Sequence, residues 1–239
     1  MGKIIDKINK KENLIMTICI LLIFVCIIVF FVIYGKNKEN KQFSYLDNLE
    51  KKVLTISNGD DNSTILLKEF SYYIIVAESN TQNQALFFGK DTPVNYWELQ
   101  AAPLKNLRAI AKDFCLDTCI HDNILYLEAM KKDLELNSDD EKYLSEICNE
   151  IYKNLTADQI DTTDIELNDI YDAQRKIFLG EKYIQALIDE GIIENRTEIS
   201  VDGEYYIEEI KSQYDINENK TVTDELLFGS ITVNLDAGK

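Results

Sequence analysis

The chain has 239 residues, 42 acidic against 25 basic, with nine glycines, two prolines and a single histidine. An apolar content of 46% can fill the core of one ordinary domain, and the low glycine and proline content excludes collagen-like and low-complexity chains. A net charge of −17 argues against a nucleic-acid partner, and one histidine leaves little metal or acid–base repertoire.

The charge is divided along the chain. Residues 1–52 hold nine lysines against five acids, a net of +4, which leaves −21 for the remainder. Residues 14–34 form an apolar run without charge, glycine or proline. As a helix this run is about 31 Å long, against roughly 30 Å of bilayer hydrocarbon. It exceeds the usual apolar stretch of a cleaved signal peptide, and no small-x-small triplet follows it. Ile18 and Val25 precede Cys19 and Cys26, where a lipoprotein site wants a small residue. The predicted organisation is a cytoplasmic basic segment (1–13), a single-pass transmembrane signal anchor in the bilayer (14–34), a tether (35–51) and an extracytoplasmic domain (52–239). The lysines before the run orient the N-terminus inward, as in a bacterial cell membrane.

In the domain, residues 52–57 alternate as a strand, and a turn cluster at 58–62 leads to Thr64-Ile65-Leu66, giving a short hairpin or a strand and turn feeding a helix. Helical periodicity starts at Leu67 and runs towards Phe87, with Phe70, Tyr73, Ile74 and Ala77 on its apolar face. Gly89 and Pro93 close it, and Tyr96-Trp97 lies in the connection. From Pro103 a long helix reaches about residue 136. One stripe holds Leu104, Leu107, Ala111, Phe114, Thr118, His121 and Leu125, and a second holds Leu116, Ile120, Leu127 and Leu134, so this helix is expected at the centre. Ser138 with Glu141 is read as a capping box for a helix over 139–154, and Thr163 with Glu166 for one over 164–190 closed by Gly191. Ser200 is the expected cap of a helix over 201–214. Residues 229–235 are the expected strand that pairs with 52–57 and joins the two ends of the domain. The fold class is mainly α with a minor β element.

Catalytic patterns are weak. Cys115 and Cys119 share a helix face, but His121 lies about 200° from Cys119, so one helix cannot converge all three on a metal. His121 stands near Asp117 and Asp122 without a nucleophile motif, and Phe88-Gly89-Lys90-Asp91 lacks the first glycine and the Ser/Thr of a phosphate loop. Cys115, Cys119 and Cys148 follow no disulfide framework and read as buried hydrophobes. No enzyme activity, cofactor or metal is expected. Thirteen tyrosines and ten phenylalanines on an acidic body instead suggest an adaptable binding surface.

The signal anchor followed by Val53-Leu54-Thr55-Ile56-Ser57-Asn58-Gly59-Asp60 and Leu66-Leu67-Lys68-Glu69-Phe70-Ser71-Tyr72-Tyr73 resembles the start of SurA/PrsA-like foldases. Residues 111–125 look like that family's second long helix. Residues 136–141 are similar to its acidic-capped junction, and Ser200-Val201-Asp202-Gly203-Glu204-Tyr205-Tyr206 resembles the helix before the parvulin module. Only 25 residues follow Tyr214, without histidine or Gly-Gly, so the prolyl-isomerase module is not expected. The resemblance implies the SurA N-terminal-like chaperone domain alone, a holdase for unfolded or secreted polypeptides. Phe70, Tyr73, Ile74, Tyr96 and Trp97 are the expected client-binding residues. The alternative is a tethered assembly subunit with one dedicated protein partner.

Overall fold

A computed structural model describes residues 43–87, 96–103 and 105–232. The expected cytoplasmic segment, the anchor and residues 35–42 of the tether lie outside the described residues. No helix among those described is long and apolar enough to cross a membrane.

Strand β1 (Lys52–Asn58) turns through Gly59 and Asp60 into β2 (Asp61–Leu66), pairing antiparallel with Thr55 opposite Thr64. The chain then enters helix α1 (Leu67–Phe87) directly, with the Leu67 N–H donating to the Lys51 carbonyl at 2.8 Å. Hairpin and helix therefore form where the switch from two-residue to helical periodicity placed them.

The long central helix begins later than expected. A two-stranded turn, β3 (Gln100–Ala102) and β4 (Lys105–Asn106), comes first. Asn106 then caps α2 (Leu107–Lys131), its side chain accepting from the Ala109 N–H at 3.0 Å. The helix ends at Lys131, with Asp133 left-handed just beyond, not near residue 136. Ala111, Cys115 and Cys119 are buried on one side of α2, and Leu116, Ile120 and Leu127 on another. The two-sided burial read from its stripes is thus present, but Phe114 faces outward at 59% exposure.

Two expected caps are displaced. Helix α3 (Ser138–Asn154) is capped by Asn137 in a reciprocal box with Asp140, one residue before the Ser138 pattern. Asn137 has the extended backbone that lets its side chain accept from the N–H groups of Asp139 and Asp140. A short helix α4 (Ala157–Thr163), boxed by Thr156 and Gln159, occupies the region where Thr163 was expected to open a helix. Asp164 then turns left-handed, and α5 (Leu167–Asp189) starts after Glu166, boxed with Asp169. Gly191, at φ +69°, follows the end of α5 as expected.

The expected helix over 201–214 is shorter. It begins beyond Gly203 and widens into a π-helical turn, Tyr206–Ile210. Strand β5 (Asp215–Glu218) follows and pairs antiparallel with β1, Leu54 opposite Glu218 and Ser57 opposite Asp215. The sheet order is β2-β1-β5. An early strand does meet a late one, but the late strand is 215–218. Residues 229–232 lie in no strand, and 233–235 lie outside the described residues. A short helix, α6 (Lys220–Thr223), follows β5.

From Ser44 onward the chain forms a unit in which α2 packs against α5 and α1, and α5 also covers α3. A polar knot locks these layers. Lys176 of α5 reaches Glu69 of α1 at 2.6 Å and the Asn123 amide oxygen of α2 at 3.1 Å. The Ser63 hydroxyl of β2 donates to that oxygen at 2.9 Å, and the Asn123 amide donates to the Cys119 carbonyl. Asn123 is thereby satisfied at zero exposure, as a buried amide must be.

Candidate functional site

The five residues expected to contact clients lie in the domain's own core. Phe70 and Ile74 are fully buried, Trp97 is 1% exposed, and Tyr73 and Tyr96 are below 10%. None of the five lines either of the two grooves that flank the second half of α1. The physical reason is that α1 is enclosed on more than one side, by the hairpin, α2 and α5. Both members of the Tyr72-Tyr73 doublet are consequently buried, with rings edge to face at 5.5 Å. Burial pushes the Tyr72 hydroxyl up to about 12.

Open space lies instead along the second half of α1. The larger groove, about 860 Å³, has Asn80, Thr81, Asn83 and Gln84 on the α1 side and Leu107, Ile110 and Phe114 on the α2 side. Ala77 and Ala111 form its floor. A second groove of about 490 Å³ opens on the other side of Asn80 and Asn83, towards Ile151, Leu155, Gln159 and Thr232. A primary amide is donor and acceptor at once, so an amide wall can pair with both groups of an extended peptide backbone whatever its side chains. The facing Leu107, Ile110 and Phe114 supply apolar area. A signal for this groove stands in the sequence: Ser79-Asn80-Thr81-Gln82-Asn83-Gln84 is a charge-free polar run inside a helix, rich in residues of indifferent helix propensity.

Between the two grooves α1 carries an unexpected group. Glu78 has zero exposure, and its carboxylate accepts three main-chain N–H donations from the C-terminal segment. Oε1 accepts from Gly229 at 2.6 Å, and Oε2 from Ile231 at 3.1 Å and Thr232 at 2.6 Å. Burial raises its pKa above the ordinary carboxylate value, and the three N–H donors act against that rise. A raised folded-state value means folding favours the protonated form. That contribution is complete below the unfolded value of about 4.3 and is lost as pH rises through the folded value. The melting temperature is therefore expected to rise as pH falls from 7 towards 5. Glu78→Gln, which cannot titrate, is expected to give a shallower slope in a series of thermal melts, and an unchanged slope would refute the assignment.

Trp97 belongs to the same cluster. A Cβ built on Gly229, whose φ is +85°, would stand 2.7 Å from the indole ring. The Arg108 guanidinium, held by Glu98 at 3.0 Å, lies 5.9 Å from the ring centre.

The histidine and cysteines have structural surroundings. His121 Nε2 lies 2.8 Å from the Ile199 carbonyl, an acceptor only, so this nitrogen carries the hydrogen and donates. Nδ1 is 3.2 Å from Asp122, and the Tyr206 ring meets the imidazole edge-on at 4.7 Å. The pair thus fastens the 196–199 turn to α2. Burial pushes the Cys115 and Cys119 thiols well up, which keeps them un-ionised. Among the described residues no three His, Cys, Asp or Glu side chains converge on a common point.

Searches against protein-family models, curated proteins and solved structures find no match to this chain.

Proposed function

We propose that this protein is a membrane-anchored extracytoplasmic chaperone of the holdase type, which binds unfolded or secreted polypeptides and performs no chemistry on them. In this reading residues 14–34 hold it in the bilayer, with the N-terminus cytoplasmic. The domain takes an extended client segment in the groove between α1 and α2. The observation that carries the reading is the pairing of an amide wall, Asn80, Asn83 and Gln84, with an apolar wall centred on the exposed Phe114. Such a lining binds main chain and apolar side chains without demanding a particular sequence. The strongly acidic domain adds a field that attracts cationic segments and keeps loaded complexes apart.

The test is suppression of aggregation of several unrelated denatured proteins by the full-length chain. Phe114→Ser combined with Asn83→Ala is expected to weaken suppression about tenfold, equivalent to about 1.4 kcal/mol of binding. The melting temperature should stay within about 2 °C, since both positions are exposed. Equal suppression by wild type and variant would remove the groove from the account.

A second reading, a tethered assembly subunit with one dedicated protein partner, is favoured by the closed core. With Phe70, Tyr73, Ile74, Tyr96 and Trp97 buried, the receptive surface has a fixed outline, which suits one partner better than many. Suppression of none of the denatured proteins, with one stoichiometric partner recovered by pull-down, would select it.

A further inference from the structure

Residues 224–232 run against α1 as a strap of turns and bends that belongs to no strand. Leu226, Phe228 and Ile231 are buried, Phe228 completely, while Leu227 between them is 44% exposed. The strap is held largely through its main chain, by the three N–H donations to Glu78. Its receptor comes from separate parts of the chain. Glu78 belongs to α1, and Trp97, from the connection before β3, sets its ring against Gly229. Gln159 of α4 donates to the Thr232 hydroxyl at 3.2 Å. A buried carboxylate facing the N–H groups of Gly229, Ile231 and Thr232, an aromatic floor that admits glycine only, and apolar sockets on either side are the parts of a peptide-binding cleft.

We propose that this cleft is a peptide-binding site occupied in cis, and that its ligand class is a turn-forming polypeptide segment with the pattern apolar–Gly–Ser–apolar, exemplified by Phe228-Gly229-Ser230-Ile231, with its glycine at positive φ. A segment of that pattern from another polypeptide replaces the strap by making the same three N–H bonds to Glu78 and stacking its glycine on Trp97. The cleft is distinct from the amide-lined groove, so this inference stands whether or not that groove takes clients.

Trp97 is the single tryptophan of the chain, so its emission reports the cleft alone. Gly229→Ala in the full-length chain disables the strap by driving a methyl group into the indole while leaving the receptor intact. Its emission is expected to shift to the red. A synthetic peptide of residues 222–232, which contains no tryptophan, should reverse the shift saturably. The same peptide with alanine at the glycine should fail at least tenfold. Adding Glu78→Ala to the variant should abolish the response to either peptide. A red-shifted but folded variant that ignores the peptide, or one rescued equally by the alanine peptide, would overturn the proposal.

Native-state hydrogen exchange on the unaltered chain gives a second reading that no folding defect can obscure. The amides of Gly229, Ile231 and Thr232 should exchange at least tenfold faster than those of Cys119 and Ile124 in α2. Exchange of both sets at one common rate would mean the strap leaves only on global unfolding, and would also overturn the proposal. Neither measurement involves aggregation, so failure here leaves the holdase test untouched, and the reverse holds too.

Discussion

Gly203→Ala is expected to be among the most damaging single-methyl changes in the domain. A Cβ at this position would stand 2.3 Å from the Glu198 carbonyl oxygen and 2.6 Å from that of Thr197. Both are main-chain atoms, so no rotamer change relieves the overlap. The Gly203 N–H also donates to the Ser200 carbonyl at 2.8 Å, and its own carbonyl receives the Ile207 N–H, so the site is tied on both sides. Overpacking costs about 1–3 kcal/mol where side chains can adjust, and here the cost should lie at the top of that range or above. At about 2–4 °C per kcal/mol for a domain of this size, the melting temperature should fall by at least about 6 °C. A thermal melt within 2 °C of wild type would show that the turn between Ile199 and Tyr206 is built differently.

Trp97→Ala is expected to cost about 3–5 kcal/mol, because it empties a fully buried site of the largest side chain. The consequence for function is specific. If Trp97 were an exposed client contact, its removal would weaken binding and leave the melt unchanged. As a core residue beneath Gly229 it should lower the denaturation midpoint strongly, and any loss of activity should follow the loss of fold. Denaturant unfolding of the variant beside Phe114→Ser separates the two cases. A normal midpoint for Trp97→Ala would place the indole back on an open surface.

Where neighbouring residues determine structure, the chain could be read directly. The hairpin from Lys52, the entry into α1 at Leu67 and the stop at Gly191 all follow from local periodicity and turn chemistry. Strand β5 carries no such signal. Asp215-Ile216-Asn217-Glu218 is short and polar, and becomes a strand because the distant Leu54 and Ile56 offer it a free edge. Residues 229–232 looked like a strand for their β-branched side chains, but a buried carboxylate on α1 claims their N–H groups. Phe114 sits in phase with one α2 stripe yet faces the groove, because periodicity gives a face and not the neighbour that covers it. The residues expected to contact clients lie in the core for the same reason, since a run of aromatics looks alike in a groove and in a core. Glu78 is legible in the sequence: it stands four residues after Ile74 on the buried side of α1, where a lone acid needs a partner.

The position of β1 in the middle of its sheet has a kinetic consequence. One neighbour, β2, is made at once, but the other, β5, begins 157 residues after Asn58. At about 5–20 residues per second, ribosomal synthesis leaves that edge of β1 without its native mate for about 8–30 s. Over that interval Leu54 and Ile56 offer unpaired backbone to any extended chain nearby, the chain's own kin included. The interval during which this protein is most exposed to misassembly is thus set by where β5 falls in its gene rather than by the strength of its finished core.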